Sequence, residues 1–264
     1  MTRLVGAELF RVRASGLWLW SLLAALVLGC GFTTLFTAIG PENFDPPLPG
    51  LGTSEGVRAV LGLATTTLFV PALIGAIAVT GDYRHQTLGQ TVLAEPRRGR
   101  VLAAKLVALA VVGAGYALVV VAGTVAALYG TTALTGTRLG APPGEVFAIL
   151  LGTAAAIVAY TLIGGGIGAL VRHQLAAVGV VLGYFAVAEI VVLVIPGVNH
   201  AYPYLPGGAS AALTGFGYLT DAVAADTGAV TTLLSPWAGF TVLLGYAVAA
   251  AVLATMSSLR RDIA

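Results

Sequence analysis

Six apolar stretches, each long enough to cross a lipid bilayer, constrain this chain more than any other feature. Only 9% of its 264 residues are charged, whereas about a quarter are charged in a soluble domain. The stretches must be helical, because lipid cannot satisfy the backbone groups of an open strand. The sequence therefore predicts an all-α integral membrane protein with about six transmembrane helices, folded as one domain over 1–264. The predicted spans cover roughly 17–39, 59–80, the stretch after Lys105 to 129, 146–171, 175–195 and 236–256.

Arginine and lysine are distributed unevenly among the segments that join these spans. One set of segments carries nearly all of them, and the other set carries only Arg58 and Arg138. An excess of lysine and arginine marks the cytoplasmic side of a membrane. We therefore expect both termini in the cytoplasm and a multi-pass protein of the cytoplasmic (inner) membrane. The cations on the predicted inner side are Arg3, Arg11, Arg13, Arg84, Arg97, Arg98, Arg100, Lys105, Arg172, Arg260 and Arg261.

The residues before the first span form an amphipathic pattern. Helical spacing places Val5, Leu9 and Val12 on one face of residues 2–15. It places Glu8 and Arg11 three residues apart on another face, where they can pair, and Arg13 adds a further charge. The pattern predicts a helix that lies along the inner membrane surface. A flexible basic leader is the alternative.

The segment between the fifth and sixth spans, about 197–234, mixes apolar residues with glycine and proline. Its apolar residues include Leu205, Leu213, Phe216 and Leu219. It is too short for two further spans, which need about 20 residues each. We predict a re-entrant helical hairpin here, because backbone that does not span is tolerated where protein buries it. An ordinary exposed loop is the alternative.

Glycine pairs suggest where helices approach one another. Gly164 and Gly168 are four residues apart in the fourth span, and Gly179 and Gly183 are four apart in the fifth. Small residues at this spacing let two helix backbones come close together. Each pair is therefore a candidate helix contact, and neither indicates a function.

The sequence predicts no catalytic, cofactor or metal residues. A P-loop needs glycine and lysine followed by serine or threonine, yet the only lysine, Lys105, follows Ala104. A single cysteine excludes thiol metal sites and internal disulfides. No histidine begins a His-Glu-x-x-His zinc motif. The G-x-S-x-G pattern at 52–56 falls in a loop between spans, where the strand-to-helix turn of a nucleophile elbow is not expected.

Glu189 is the only charged residue deep in a predicted span. Ionisable residues inside a membrane are costly and often mark a transport pathway. We therefore treat Glu189 as a possible pathway or interface residue. A neutral or hydrogen-bonded glutamate at a helix contact is the alternative.

The predicted inner segment 82–105 joins the second and third spans and is the most charged part of the chain. Apolar and small residues recur in it at helical spacing, and Glu95-Pro96 interrupts the helix. The pattern indicates a short rigid helix below the membrane that could dock a cytoplasmic protein. Simple attraction of its cations to anionic lipid is the alternative.

This segment resembles the first inner loop of ABC-2 type transporter permeases, particularly actinobacterial ones. That loop typically reads Glu-Tyr-Arg-x-Gly-Thr-Leu, then Leu-x-x-Pro-x-Arg, then a lysine that begins the third span. The corresponding residues are 82–88, 93–100 and Lys105, with Asp82 in place of the usual glutamate and Gln86 in place of the usual glycine. Residues 7–13, 204–206 and 260–262 are similar to the family's entry helix, outer re-entrant loop and C-terminal end.

The resemblance implies a non-catalytic permease subunit of an ATP-driven ABC exporter. Such a subunit pairs with a second copy or homologue in the lipid membrane, and it moves substrate outward. Two separate ATPase subunits bind the ATP and magnesium, and nucleic acid has no part in the complex. The resemblance implies an ATPase-coupling role for Arg84, His85, Thr87, Leu88, Val92, Leu93, Glu95, Pro96, Arg97 and Arg98.

Two other functions remain open at the level of the sequence. A secondary transporter would need an inverted repeat or several polar residues inside the membrane, and the sequence shows neither clearly. An integral membrane enzyme would need several polar groups at one membrane depth. Its outer polar groups would be limited to Ser54, Glu55 and His200.

Overall fold

The fold is a helical bundle, seen in a computed structural model that describes residues 2–44, 47–84, 98–171 and 173–260. Throughout these ranges the regular structure is helical, without strands. Six helices are long and apolar enough to cross a membrane, which confirms the predicted class of all-α multi-pass membrane protein. We call them spans 1 to 6: Trp18–Ile39, Ser54–Arg84, Gly99–Thr135, Pro143–Val171, Gln174–Val194 and Pro236–Ala254.

Three spans contain turns that depart from α-helical geometry. Span 1 has a π-helical turn at Val27–Phe32 and span 5 has another at Gly183–Ala188. Span 2 combines Ser54–Gly62, a 3₁₀ segment at Leu63–Thr67 and Phe69–Arg84. In that 3₁₀ segment three threonine hydroxyls each donate to the carbonyl three residues earlier, which competes with the regular helical pattern.

Short helices precede and interrupt the spans. The N-terminal helix covers Thr2–Ala14. Gly16 follows it with a φ of 71°, a backbone conformation that glycine adopts without strain. Between spans 5 and 6 lie a 3₁₀ segment at Asn199–Tyr204 and two short helices, Pro206–Thr214 and Tyr218–Thr227. We call these last two the first and second short helices. The remaining short element is a 3₁₀ turn at Pro41–Asn43.

The first short helix is mostly buried against spans 4 and 6. A side chain at Gly152 would come within 2.9 Å of the carbonyl oxygen of Leu213. Ala209 is fully buried at the contact with Gly239 of span 6. Residues 206–214 are therefore a packed helix and not the ordinary exposed loop that was the alternative.

Spans 2 and 4 make the closest backbone contact of the bundle. A Cβ at Gly164 would collide with the carbonyl oxygen of Ala72, and a Cβ at Gly75 would collide with that of Thr161. Gly168 continues the contact, because its Cβ would lie 2.7 Å from the carbonyl oxygen of Ala76. The glycine pair of span 4 is thus a helix contact, as its spacing predicts.

The glycine pair of span 5 lies in a different environment. A Cβ at Gly179 or Gly183 would meet no atom within 4 Å among the described residues. The same spacing therefore marks a helix contact in span 4 and an exposed stripe in span 5.

The two ends of the bundle differ in charge. One end gathers the N-terminal helix, the last turns of spans 2, 4 and 6 and the first turns of spans 3 and 5. An apolar cluster of Val79, Leu109, Ala169 and Ala254 joins spans 2, 3, 4 and 6 at this end. We call this the basic end, because the described cations Arg3, Arg11, Arg13, Arg84, Arg100 and Lys105 belong to it.

At the opposite end Arg58 pairs with Glu145 across the starts of spans 2 and 4. Both ends of the described chain therefore lie at the basic end, as an even number of spans requires.

Spans 2 and 3 are longer at both ends than predicted. Span 2 begins at Ser54, because the hydroxyl of Thr53 accepts a hydrogen bond from the Gly56 N–H at 3.1 Å and caps the helix. Span 3 belongs to a helix that continues to Thr135. Ser54 of the G-x-S-x-G pattern follows a turn and not a strand, so the geometry of a nucleophile elbow is not formed.

The contact between spans 2 and 4 predicts a contrast between two glycine substitutions. We expect Gly164→Ala to lower the free energy of unfolding by about 1–3 kcal/mol, because the added methyl group forces the two backbones apart. Gly183→Ala should leave stability unchanged or raise it slightly, since alanine favours helix and the site is open. Thermal unfolding of the two detergent-solubilised variants checks this, and equal midpoints would contradict the contact.

Candidate functional site

The predicted coupling segment falls largely outside the described residues. His85, Thr87, Leu88, Val92, Leu93, Glu95, Pro96 and Arg97 all lie there. The structure does place the helices on either side of the segment. Arg84 ends span 2, and Arg98 begins the helix that contains span 3. Arg84 Nη1 donates to Oε1 of Gln174 at 3.3 Å, which ties the end of span 2 to the start of span 5.

A buried ion cluster joins these two flanking helices. Lys105, in the first turns of span 3, pairs with Asp82 in the last turn of span 2. The Lys105 Nζ also lies 3.4 Å from Oε2 of Glu8 in the N-terminal helix. Glu8 in turn binds Arg11, with 2.9 Å between Oε1 and Nη1. We call Glu8, Arg11, Asp82 and Lys105 the ion cluster.

The ion cluster is formally neutral and largely withdrawn from solvent. The side chain of Lys105 is only 8% exposed, and that of Glu8 only 9%. Burying a charge is tolerated when it is paired and hydrogen-bonded. Removing one partner from such a pair leaves an uncompensated charge, which costs about 3–5 kcal/mol. The cluster therefore fixes the N-terminal helix to the two helices on either side of segment 85–97.

The N-terminal helix is formed, and Glu8 and Arg11 pair across one of its turns. Glu8 is the buried residue of this helix and points towards Lys105. Arg11 is half-buried beside it, whereas Arg13 is exposed. The spacing places Glu8 and Arg11 on one face, but it does not indicate that Glu8 also pairs with a lysine far along the chain.

Sequence reasoning used Asp82 and Lys105 only as motif positions and did not see them as partners. One signal for the pairing was present. Lys105 is the only lysine of the chain and stands among alanine, leucine and valine at the predicted start of a span. A lysine in such surroundings needs an acid within reach.

A cleft lies next to the ion cluster at the basic end. Its volume is about 500 Å³, and it runs between the end of span 2 and the start of span 5. Tyr83, Arg84, His173 and Gln174 line it. His173 Nδ1 accepts the backbone N–H of Ala176 at 3.3 Å and so caps span 5. The cleft offers polar groups beside Arg84, the described residue that precedes segment 85–97.

Glu189 occupies a second polar site, near the other end of span 5. Its carboxylate accepts a hydrogen bond from the backbone N–H of Gly207, in the first turn of the first short helix. The residue is 4% exposed. Its Oε1 has no hydrogen-bond partner among the described residues. Burial raises the pKa of the nearby Tyr202, and the Glu189 carboxylate adds to this shift, so the phenol stays protonated at neutral pH.

Within the described ranges no group of three or more His, Cys, Asp or Glu side chains could hold a metal ion. Comparison with known protein families and with curated proteins finds no match to this chain. The candidate functional sites are therefore the two buried polar sites, which are the ion cluster and Glu189.

The ion cluster predicts a large effect for one substitution. We expect Lys105→Met to lower the free energy of unfolding by about 3–5 kcal/mol, because the buried carboxylates of Asp82 and Glu8 then lose the ammonium group that pairs with both. Neutralising both acids in the same chain should recover part of the loss. Arg13→Gln, an exposed change on the same helix, should stay within about 0.5 kcal/mol of the unmodified protein. Equal stabilities of Lys105→Met and Arg13→Gln would contradict the role of the cluster.

Proposed function

We propose that this chain is the permease subunit of an ATP-driven ABC exporter, which moves substrate outward with energy from separate ATPase subunits. The observation that carries the proposal is the ion cluster. It rigidly joins the N-terminal helix to the two helices that bracket the charged segment 85–97. A segment that receives force from a partner needs such anchorage. If its ends were loosely held, movement of the partner would bend the segment and would not be transmitted to the spans.

The helix of span 3 supports force transmission over a long distance. It runs without a break from Arg98 to Thr135, a length of 38 residues. At about 1.5 Å per residue it is about 57 Å long, whereas the hydrocarbon core of a bilayer is about 30 Å thick. Its first turns therefore extend beyond the core at the basic end. Movement of the coupling segment there would reach the opposite end through one stiff element.

The charge distribution supports a cytoplasmic position for the basic end. Described cations concentrate at that end, in agreement with the rule that lysine and arginine stay inside. In this orientation the cleft of Arg84 and His173 faces the cytoplasm, where ATPase subunits would dock. The first short helix then enters the outer half of the membrane as part of a re-entrant hairpin.

Exposed aromatic side chains support an interfacial position for the N-terminal helix. Phe10 is 71% exposed, and Trp18 and Trp20 are exposed immediately after this helix. Tryptophan is enriched where a membrane meets water. The ion cluster holds the protein-facing side of this helix, and the exposed aromatic side chains would lie among the lipid headgroups.

The proposed assembly contains two permease chains and two ATPase subunits. ATP and magnesium bind to the ATPase subunits, and their closure moves the coupling segments of both permeases. The sequence offers no phosphate-binding loop of its own, which agrees with this division of work.

The orientation is testable with cysteine labelling. In a Cys30→Ser background we expect a cysteine at Arg100 to react with an impermeant maleimide only after the cells are permeabilised. A cysteine at Thr137, which is exposed at the opposite end, should react in intact cells. The reverse pattern would place the coupling segment outside and would rule out docking to a cytoplasmic ATPase.

The coupling role is testable with a charge exchange. We expect the double variant Glu95→Arg, Arg97→Glu to co-purify less well with a co-expressed ATPase subunit. Its substrate-stimulated ATPase activity should fall about tenfold, the effect of losing about 1.4 kcal/mol of interaction. Arg138→Glu, at the opposite end, is the matched control and should keep full activity. Unchanged stimulation in the double variant, at unchanged thermal stability, would refute the docking role.

A further inference from the structure

Glu189 lies at the wall of a cavity. The cavity has a volume of about 280 Å³ and is enclosed by the 3₁₀ segment of span 2, by spans 4 and 5 and by the first and second short helices. Tyr160, Tyr202 and Ser210 line its buried part, and Ile190 and Leu219 are exposed at its rim. A buried carboxylate thus lines a space that opens at the surface of the bundle.

Glu189 has one structural role, which is to cap the first short helix. Its hydrogen bond from the Gly207 N–H satisfies a free donor at the start of the first short helix, where negative charge is favoured. Gly207 permits this approach, because a Cβ there would overlap Oε2 of Glu189. This capping accounts for one carboxylate oxygen and leaves the other without a partner.

Oε1 of Glu189 is buried without a hydrogen-bond donor among the described residues. Two polar side chains of the cavity wall are engaged elsewhere: Tyr160 and Ser210 share a hydrogen bond, and the Ser210 hydroxyl donates to the carbonyl of Gly207 at 2.8 Å. A buried acceptor left unpaired costs free energy, which a donor entering the cavity would recover. The free oxygen therefore points to a ligand that brings a donor.

The remaining walls favour a positive charge and an apolar body. Tyr160 and Tyr202 line the cavity within electrostatic reach of the Glu189 carboxylate. The Tyr160 and Phe185 rings lie 4.9 Å apart between centroids and form one side of the cavity. Aromatic faces attract cations. An ammonium group meets the carboxylate and the rings together, whereas an anion meets neither favourably.

We propose that the cavity binds the ammonium group of an amphiphilic amine, with its N–H donating to Glu189 Oε1 and its apolar part leaving past Ile190 and Leu219. The ammonium group can come from a free hydrophobic amine or from the headgroup of phosphatidylethanolamine. The further statement that such an amine is the cargo rests on the proposed export function. Binding itself does not depend on it.

The test uses the full-length protein in neutral maltoside micelles, without nucleotide or ATPase. The probes are a dansylated primary alkylamine and its N-acetyl derivative, which has the same body without the charge. We expect the unmodified protein to bind the amine roughly 10- to 100-fold more tightly than the acetylated probe, as expected for a hydrogen bond to a buried charge. Equal affinities for the two probes would overturn the proposal, and this comparison needs no variant.

Glu189→Gln isolates the charge, because the amide oxygen can still accept the Gly207 N–H and keep the helix capped. We expect this variant to lose roughly 10- to 100-fold in affinity for the amine and nothing for the acetylated probe. Asp221→Asn removes an exposed acid from the second short helix and should change neither affinity. Undiminished amine binding by a folded Glu189→Gln protein would overturn the proposal.

Phosphatidylethanolamine added to the micelles distinguishes the two sources of the ammonium group. Competition with the probe that disappears in Glu189→Gln identifies the headgroup as an occupant, and absence of competition identifies a free amine. Both outcomes support the ammonium site. Amine binding without ATP-dependent export by the assembled complex would contradict the export function alone. Export of the amine unaffected by Glu189→Gln would contradict the site alone.

Discussion

The pairing of Lys105 with Asp82 and Glu8 is the interaction on which the basic end of the bundle depends. Each of the three residues comes from a different helix, and none of the charges could be buried without the others. The requirement for mutual neutralisation therefore adds to the apolar contact between spans 2 and 3 and ties the N-terminal helix to both. It also fixes the helix ends on either side of segment 85–97, at Arg84 and Arg98, relative to each other.

The contact between spans 2 and 4 supplies the rigidity behind this anchorage. Backbone meets backbone at Gly75 and Gly164, without side chains that could change rotamer. Such a contact resists sliding, because any relative movement brings a carbonyl oxygen against a Cα. Asp82 of the ion cluster is thus held in place by the close packing of span 2 against span 4. The 3₁₀ segment of span 2 at Leu63–Thr67 lies nearer the start of the span, where threonine hydroxyls compete with the helical pattern and where Thr65 and Thr66 form part of the wall of the Glu189 cavity.

The sequence predicts the membrane class, the six spans and the location of both chain ends at one end of the bundle. It can do so because hydropathy and charge are local properties, and they determine directly which segments lie in lipid. The partners of buried polar groups do not follow from the sequence. Glu8 pairs with a lysine nearly a hundred residues away, which amphipathic periodicity cannot indicate. The two glycine pairs share one spacing, yet only Gly164 and Gly168 meet a neighbour among the described residues, since spacing says nothing about which face another helix covers. The cap that Glu189 provides for the Gly207 N–H is likewise visible only in three dimensions.

A buried charge needs a partner, and the two buried polar sites meet this need in different ways. The difference indicates that one site holds the structure together and the other can bind a ligand. In the ion cluster every charge has an opposite charge beside it, so the cluster has nothing left to offer a ligand and serves to hold helices. Glu189 has only a backbone N–H, which balances one of its oxygens and leaves the second facing a space lined by aromatic rings. A site meant only to cap a helix would be well served by a neutral acceptor, with a smaller desolvation cost. An acid next to an open cavity, with one oxygen unpaired among the described residues, is therefore better explained by a cation that binds there than by the cap alone.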